Sequence, residues 1–108
     1  MIYEQRLYQA TPGKLPELLA RFRNHTLKIW ERHGIRPAGF FTTLIGASNN
    51  DLTYYLAWES MAEREQKWPA FGADPEWLAV RAETEKNGPI VDRIVSQFLA
   101  PTDFSSVK

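Results

Sequence analysis

RPAGFFTTLIGASNNDLTYYLAWE, residues 36–59, contains two runs of β-branched and aromatic residues on either side of a polar turn. Such residues favour strands, whereas Gly, Ser, Asn and Asp favour turns. The pattern predicts one strand over 36–46, bounded by Pro37 and Gly46, and a second strand over 52–59. Because only the segment ASNND separates them, the two strands should pair as an antiparallel β-hairpin.

A helix is predicted on each side of this hairpin. Upstream, the apolar residues between 14 and 33 recur at helical spacing, and Gly34 follows them as a stop signal. That helix is expected to begin near TPGK, with Thr11 as its N-cap. Downstream, Ser60 and Glu63 form a capping-box pattern, and Asp74 with the proline after it restarts the helix.

Two outer segments complete the order of elements. Residues 1–10 and residues 90–100 (IVDRIVSQFLA) are predicted to form the first and fourth strands. The order β-α-β-β-α-β is that of the ferredoxin-like fold, an α+β class with a four-stranded antiparallel sheet and helices on one face. At 108 residues the chain is expected to form one domain, 1–108.

The composition argues against several classes of protein. Thirteen basic and thirteen acidic residues give zero formal charge, so no field would gather nucleic acid or an anionic membrane. No Cys is present and His occurs twice, so neither a disulfide nor a metal site is expected. The N-terminus does not resemble a secretory signal, and no segment is long enough to span a membrane. A cytoplasmic protein without cofactor is the expectation.

The third strand is apolar on both faces. Leu52, Leu56 and Trp58 alternate with Tyr55 and Ala57. An antiparallel sheet with one wet face should instead alternate between apolar and polar residues. The helices cover only one face, so the other face is expected to pack on a second copy of the sheet, which makes a homodimer.

Several segments resemble the NIPSNAP family: MIYEQRLYQATPGK, ERHG, GFFTTLIG, ESMAERE, ADPEW and LAPTDFS. They cover nearly the whole chain in the family's order. The resemblance implies a dimeric α+β barrel, in which two ferredoxin-like sheets pack face to face and a ligand cleft lies between sheet and helices. Related barrels include cofactor-free monooxygenases, haem-degrading enzymes and lactone isomerases. Most small bacterial members of this kind have no assigned reaction.

Glu4, Arg6 and Tyr8 are the first candidate site residues. They lie two apart and therefore share one face of the first strand. We expect this face to point at the helices, because the opposite face carries only uncharged residues. Arg6 could bind an anionic group through two parallel hydrogen bonds. The alternative is an ion pair with Glu4 that only ties the strand to its neighbours.

Four further residues are candidates. At helical spacing His25 falls on the apolar stripe of the first helix, so it is expected to face the sheet as a base or as a structural histidine. A haem ligand, if there were one, would have to be His25. Tyr54, Trp58 and Trp77 are expected either to line an apolar cleft around a planar ligand or to belong to the core.

Two functions are compatible with these patterns. In the first, the protein binds or converts a small organic molecule, with an anionic one included, by oxygenase- or isomerase-type acid-base chemistry without metal. Glu4 or His25 would move a proton, and Arg6 would hold the anionic group. In the second, the protein is a binding or scaffold protein that acts through its dimer surface. A wet cleft in which Arg6 is free to meet a ligand favours the first. A cleft filled by Tyr54, Trp58 and Trp77, with Arg6 fully paired inside, favours the second.

Overall fold

The computed structural model describes residues 1–108, and all predicted strands are present. The first predicted helix consists of three consecutive segments, and the second consists of two. In chain order the elements are β1 (Ile2–Ala10), α1 (Leu15–Arg21), a π-helical turn (Phe22–Thr26), α2 (Leu27–His33), β2 (Arg36–Thr42), β3 (Asp51–Trp58), α3 (Met61–Gly72), α4 (Pro75–Thr84) and β4 (Val91–Leu99).

The four strands form one antiparallel sheet in the order β2-β3-β1-β4. The first and third strands therefore lie in the centre, which confirms the ferredoxin-like prediction. Across the central pair Arg6 lies opposite Tyr54, and Glu4 lies opposite Leu56. This register places the polar residues of β1 beside the aromatic and aliphatic residues of β3, on the face covered by the helices.

Most of the predicted helix ends are confirmed. Gly34 ends α2 in the left-handed conformation, with φ of 71°. Ser60 accepts a hydrogen bond from the Glu63 amide, and Asp74 caps α4 through the amides of the two residues that follow its proline. The prediction of Thr11 as an N-cap is wrong. Helix α1 begins at Leu15, and a tight turn fills the space after Thr11.

The core is an aromatic cluster between the sheet and the helices. Trp30 stacks on Phe40, and Phe22 packs edge-on against Tyr54. Further ring contacts continue through Phe71 into α3 and α4. Large buried rings of this kind contribute most of the apolar area that holds a small domain together.

The π-helical turn decides which residues of the first helix face the sheet. A π turn holds one more residue than an α turn, so every later side chain is rotated around the helix axis. Phe22 and Thr26 are buried, whereas His25 is exposed. The expectation that His25 faces the sheet is therefore wrong, because it assumed uninterrupted α-helical spacing.

The sheet face opposite the helices, called here the outer face, exposes apolar side chains. Phe41, Val95 and Leu99 are exposed and large, and Tyr3 is half-buried beside the C-terminal tail. The tail lies against this face, where the Tyr3 hydroxyl donates to the carbonyl of Lys108 at 3.1 Å.

None of the helices combines the length and the apolar character that crossing a membrane requires.

Candidate functional site

Glu4 is the most deeply buried charged residue of the site, with no exposed surface. Its carboxylate accepts hydrogen bonds from Arg6 Nη1 at 2.8 Å and from Trp58 Nε1 at 3.2 Å. Arg64, on α3, donates to both carboxylate oxygens at 3.4 Å. A buried carboxylate needs such compensation, because loss of hydration would otherwise cost several kcal/mol.

Arg6 connects this carboxylate to two tyrosines. Its Nε donates to the Tyr54 hydroxyl at 2.8 Å, and its Nη2 donates to the Tyr8 hydroxyl at 3.3 Å. The guanidinium lies 4.6 Å from the ring centre of Trp68, close enough for a cation–π contact. Burial opposes the charge, but Tyr54, Tyr8 and Glu4 together raise the pKa of Arg6 above its ordinary value.

Tyr54 and Tyr8 are the last members of a hydrogen-bonded chain that runs from Glu4 through Arg6, called here the relay. Tyr54 is fully buried, and its hydroxyl donates to the Tyr8 hydroxyl at 2.9 Å. Burial raises the pKa of Tyr54 well above its ordinary value, so the phenol remains protonated. The Tyr8 oxygen thus accepts from Tyr54 and from Arg6, while its own proton is donated to no protein group. Tyr8 is the one hydroxyl of the relay whose proton has no acceptor in the protein.

A cleft of about 410 Å³ opens at Tyr8, between the start of β4 and three helices. Pockets for small ligands commonly have a volume of this order. Its walls combine aromatic rings with charged groups. The lining residues are Tyr8, Arg21, Trp68, Phe71, Gly72, Trp77, Arg81, Glu85, Val91, Asp92, Arg93 and Ile94.

Arg21, at the end of α1, is the one buried arginine that lines the cleft. Its Nη1 donates to the Thr84 hydroxyl and to Glu85, both at 3.3 Å. Its Nε is buried without a partner, and the guanidinium lies 5.1 Å from the ring centre of Trp77. Burial lowers the pKa of Arg21 below its ordinary value, and Glu85 offsets this only in part.

The predicted site residues fall into three groups: those that face the helices or line the cleft, those in the core, and His25. Glu4, Arg6 and Tyr8 face the helices as expected, and Tyr8 and Trp77 line the cleft. Tyr54 and Trp58 do not line the cleft, and both are fully buried in the core.

His25 is remote from the cleft. It lines a separate shallow depression with Glu17, Asn24 and Thr84, so neither a base nor a haem ligand in the cleft can come from this residue. No group of three or more His, Asp or Glu side chains lies close enough together to hold a metal ion.

Two residues of the site were missed from the sequence. Arg64 and Arg21 both lie on amphipathic helices, where a single arginine has the pattern of a solvated residue. The only sequence signal for Arg64 is the presence of Glu4, a buried carboxylate that requires more than one cation. For Arg21 the signal is weaker still, since it depends on how α4 packs against α1.

The sequence profile of the NIPSNAP family matches residues 3–106. An uncharacterised NIPSNAP domain protein from Burkholderia xenovorans is 28% identical, with 97% of this chain and 98% of that chain covered and a TM-score of 0.83. A protein from Agrobacterium tumefaciens is 24% identical over 100% of both chains, with a TM-score of 0.88.

More distant solved structures share the fold alone. A monooxygenase from Streptomyces coelicolor, in complex with the ligand nanaomycin D, is 16% identical, with 99% of this chain and 92% of that chain covered and a TM-score of 0.65. These likenesses show that the fold itself is shared. No curated protein matches the chain.

Proposed function

Because this chain belongs to the NIPSNAP family and opens a cleft at Tyr8, we propose that it binds a small organic molecule there. The observation that carries the proposal is the free proton of the Tyr8 hydroxyl at the cleft wall. A ligand oxygen, such as a carbonyl or enolate oxygen, would accept that proton in a hydrogen bond. The aromatic rings of Trp68 and Trp77 would hold the apolar part of the ligand.

The relay behind Tyr8 suits oxygenase- or isomerase-type chemistry. In both, negative charge develops on an oxygen of the substrate, and a preorganised donor lowers the energy of that state. Arg6 donates to the Tyr8 oxygen, which polarises the phenol and strengthens it as a donor. Glu4 is beyond reach of the cleft, since Arg6, Arg64 and Trp58 surround it. We assign Glu4 the role of positioning Arg6 and not of moving a proton.

The fold neighbour from Streptomyces coelicolor supports the same kind of ligand. That monooxygenase is described with nanaomycin D bound, and it has the same fold over 99% of this chain. The cytoplasm is the expected location.

The proposal is tested by native mass spectrometry of protein purified from its own host. The cleft is blocked by Gly72→Leu, since a side chain at Gly72 meets no atom within 4 Å and the backbone there is unstrained. Ala70→Leu, on the exposed side of the same helix, is the matched control. We expect a small molecule to travel with the wild type and with Ala70→Leu but not with Gly72→Leu. Equal occupancy in all three proteins, or none in the wild type, would refute the cleft as a binding site.

A second variant tests the role of the phenol. Tyr8→Phe removes the free donor and keeps the ring, so the affinity for the molecule found should fall about tenfold, the loss typical of one good hydrogen bond. If Tyr8→Phe binds that molecule as tightly as the wild type does, the ligand oxygen does not meet Tyr8.

A homodimer built on the outer face is part of the proposed function, and it is also the basis of a second candidate, a scaffold protein. Three observations favour a second copy on this face. Phe41, Val95 and Leu99 are exposed there, and the polar residues between them, including Gln5 and Gln97, are uncharged. An apolar hollow of about 360 Å³ lies beside them. The helices lie on the other face of the sheet, so within one chain only the C-terminal tail lies against this face.

Sedimentation velocity at micromolar concentration tests the dimer. A stable interface should bury about 1,600 Å² in total. Val95→Asp would place a charge in that interface and should give a monomer, whereas Ser96→Asp, on the opposite face of β4, should leave the dimer intact. A wild type that sediments as a monomer would contradict this part of the proposal.

A further inference from the structure

Arg21 differs from every other arginine of the cleft in being buried with donors to spare. Only about 6% of its surface is exposed. Nη1 makes both of its hydrogen bonds, and Nε has none. Nη2 also donates to no protein group, and Nε and Nη2 lie on the same edge of the guanidinium. Nε is enclosed by protein atoms, so Nη2 is the free nitrogen whose N–H donors can reach a ligand carboxylate.

The partners that Arg21 does have compensate its charge incompletely. Glu85 Oε2 lies 3.3 Å from Arg21 Nη1 and 3.3 Å from Arg81 Nε, so one oxygen is shared by two cations at long distance. For comparison, the buried pair of Glu4 and Arg6 is at 2.8 Å. A charge-assisted pair at full strength has the shorter distance. Arg21 can therefore accept a second anion without giving up a strong bond.

The surroundings favour an aromatic acid. Trp77 lies against the Arg21 guanidinium at 5.1 Å from its ring centre, and the cleft also contains Trp68 and Phe71. Three arginines line the cleft, against one glutamate and one aspartate, so its walls carry a positive excess. A neutral ligand would leave that excess uncompensated.

We propose that Arg21 is the anion-binding residue of the cleft and that the ligand is an aromatic or similarly flat carboxylic acid, its carboxylate on Nη2. This inference rests on the proposed function, since it concerns the same cleft. The inference assigns the anion to Arg21 and not to Arg6, since each of the three nitrogens of Arg6 already donates a hydrogen bond within the protein. Glu85, on the opposite side of the guanidinium, opposes the ligand's charge and weakens its binding.

Calorimetric titration with 2-naphthoate and its neutral counterpart 2-naphthamide tests the inference on the intact protein. The two probes share their ring system and differ in charge. For the wild type we expect naphthoate to bind about tenfold more tightly than naphthamide, as one charge-assisted pair provides. Arg21→Met should abolish this preference, and Arg23→Met, an exposed arginine on the same helix, should keep it.

Two further measurements keep the inference falsifiable if Arg21→Met does not fold. Glu85→Gln should tighten naphthoate binding about threefold and leave naphthamide unchanged, because it removes a like charge near the carboxylate. The Nε–H resonance of Arg21 should shift on addition of naphthoate and not of naphthamide.

Each outcome has a separate meaning. Equal affinity of the wild type for both probes, or a preference that persists in Arg21→Met, overturns the anion site and leaves the cleft as a binding site. Absence of binding for both probes, or binding that Gly72→Leu does not weaken, overturns the proposed cleft and the anion site together.

Discussion

Arg6 and Arg21 are equally buried, with 8% and 6% of their surfaces exposed, yet their surroundings are opposite. Arg6 has a carboxylate at 2.8 Å and two phenols within 3.3 Å. Arg21 has only hydrogen bonds of 3.3 Å on one nitrogen and an unpaired Nε. The pKa of Arg6 is raised above its ordinary value, and the pKa of Arg21 is lowered, so the protein stabilises one charge and tolerates the other.

The different compensation of the two charges suggests that Arg6 serves mainly the stability of the fold and Arg21 mainly ligand binding. A buried charge without full compensation lowers stability, and such groups occur where a ligand supplies the missing partner. The end of the sheet at Glu4 and Arg6, here called the closed end, has little left to offer a ligand except through Tyr8. The end at Arg21 and Trp77, here called the open end, keeps unused donors. Substitutions at the two ends should therefore have opposite consequences for stability and binding.

Trp58 and Trp77 give the largest expected contrast. Trp58 is fully buried at the closed end and donates to Glu4, so Trp58→Ala should lower the free energy of unfolding by about 3–5 kcal/mol. Trp77 is only partly buried, and Trp77→Ala should cost about 1–2 kcal/mol, because less apolar area is lost. Denaturation in urea measures both. Equal losses would mean that the two ends are equally packed.

Glu4 and Glu85 give the next contrast. Glu4→Gln leaves two arginines without their carboxylate, and breaking such a buried pair should cost about 3 kcal/mol. Glu85→Gln, at the partly exposed open end, should cost less than about 1 kcal/mol. The same denaturation curves decide the matter. A Glu4→Gln protein as stable as the wild type would show that the relay is not what stabilises the closed end.

The closed end was predictable from the sequence, and the open end was not. Glu4 and Arg6 lie two apart on a strand and must share a face. Because the residues that alternate with them are uncharged, the sequence also indicates that Glu4 and Arg6 face the helices. The order of elements likewise followed from local patterns, because strands, turns and caps depend on nearby residues. The role of Arg21 depends instead on Thr84 and Glu85, more than sixty residues away.

The error at His25 has a local cause that the sequence conceals. The five residues FRNHT form a π-helical turn, yet they contain no proline or glycine to mark a disruption. The spacing from Leu18 to Ile29 fits an unbroken helix as well as a helix with one inserted residue. Tertiary packing of Phe22 and Thr26 against the core selects the second arrangement.

Asp74 provides a third contrast, between a charged and an uncharged N-cap of α4, the helix that forms one wall of the open end. It caps α4, which carries Trp77 and Arg81, and hydrogen bonds from Arg32 and then from His33 hold the pKa of its carboxyl well below its usual range. A depressed pKa contributes stability that is present above about pH 4 and is lost as the pH falls towards the folded-state pKa.

Asp74→Asn keeps a cap acceptor but removes this titration. Its stability should therefore fall less steeply than that of the wild type below about pH 4. Asp103→Asn, in the exposed tail, is the control and should follow the wild-type curve. Thermal melts between neutral and acid pH measure the slopes, and parallel curves for Asp74→Asn and the wild type would contradict the assignment.

The smallest expected effect concerns Arg21 itself, and it is the most informative about the comparison between the two arginines. Arg21→Met removes a desolvated charge whose hydrogen bonds are long, fills nearly the same space and leaves Glu85 paired with Arg81. Its stability should stay within about 1 kcal/mol of the wild type, since replacing a poorly compensated buried ion by an apolar residue is often neutral or favourable. Arg6→Met leaves the fully buried Glu4 with Arg64 as its only cation and should cost about 3–5 kcal/mol. Urea denaturation of the two variants side by side measures the difference. If Arg21→Met proves as costly as Arg6→Met, Arg21 serves to hold α1 against α4, and its unpaired Nε is a tolerated defect without a ligand to explain it.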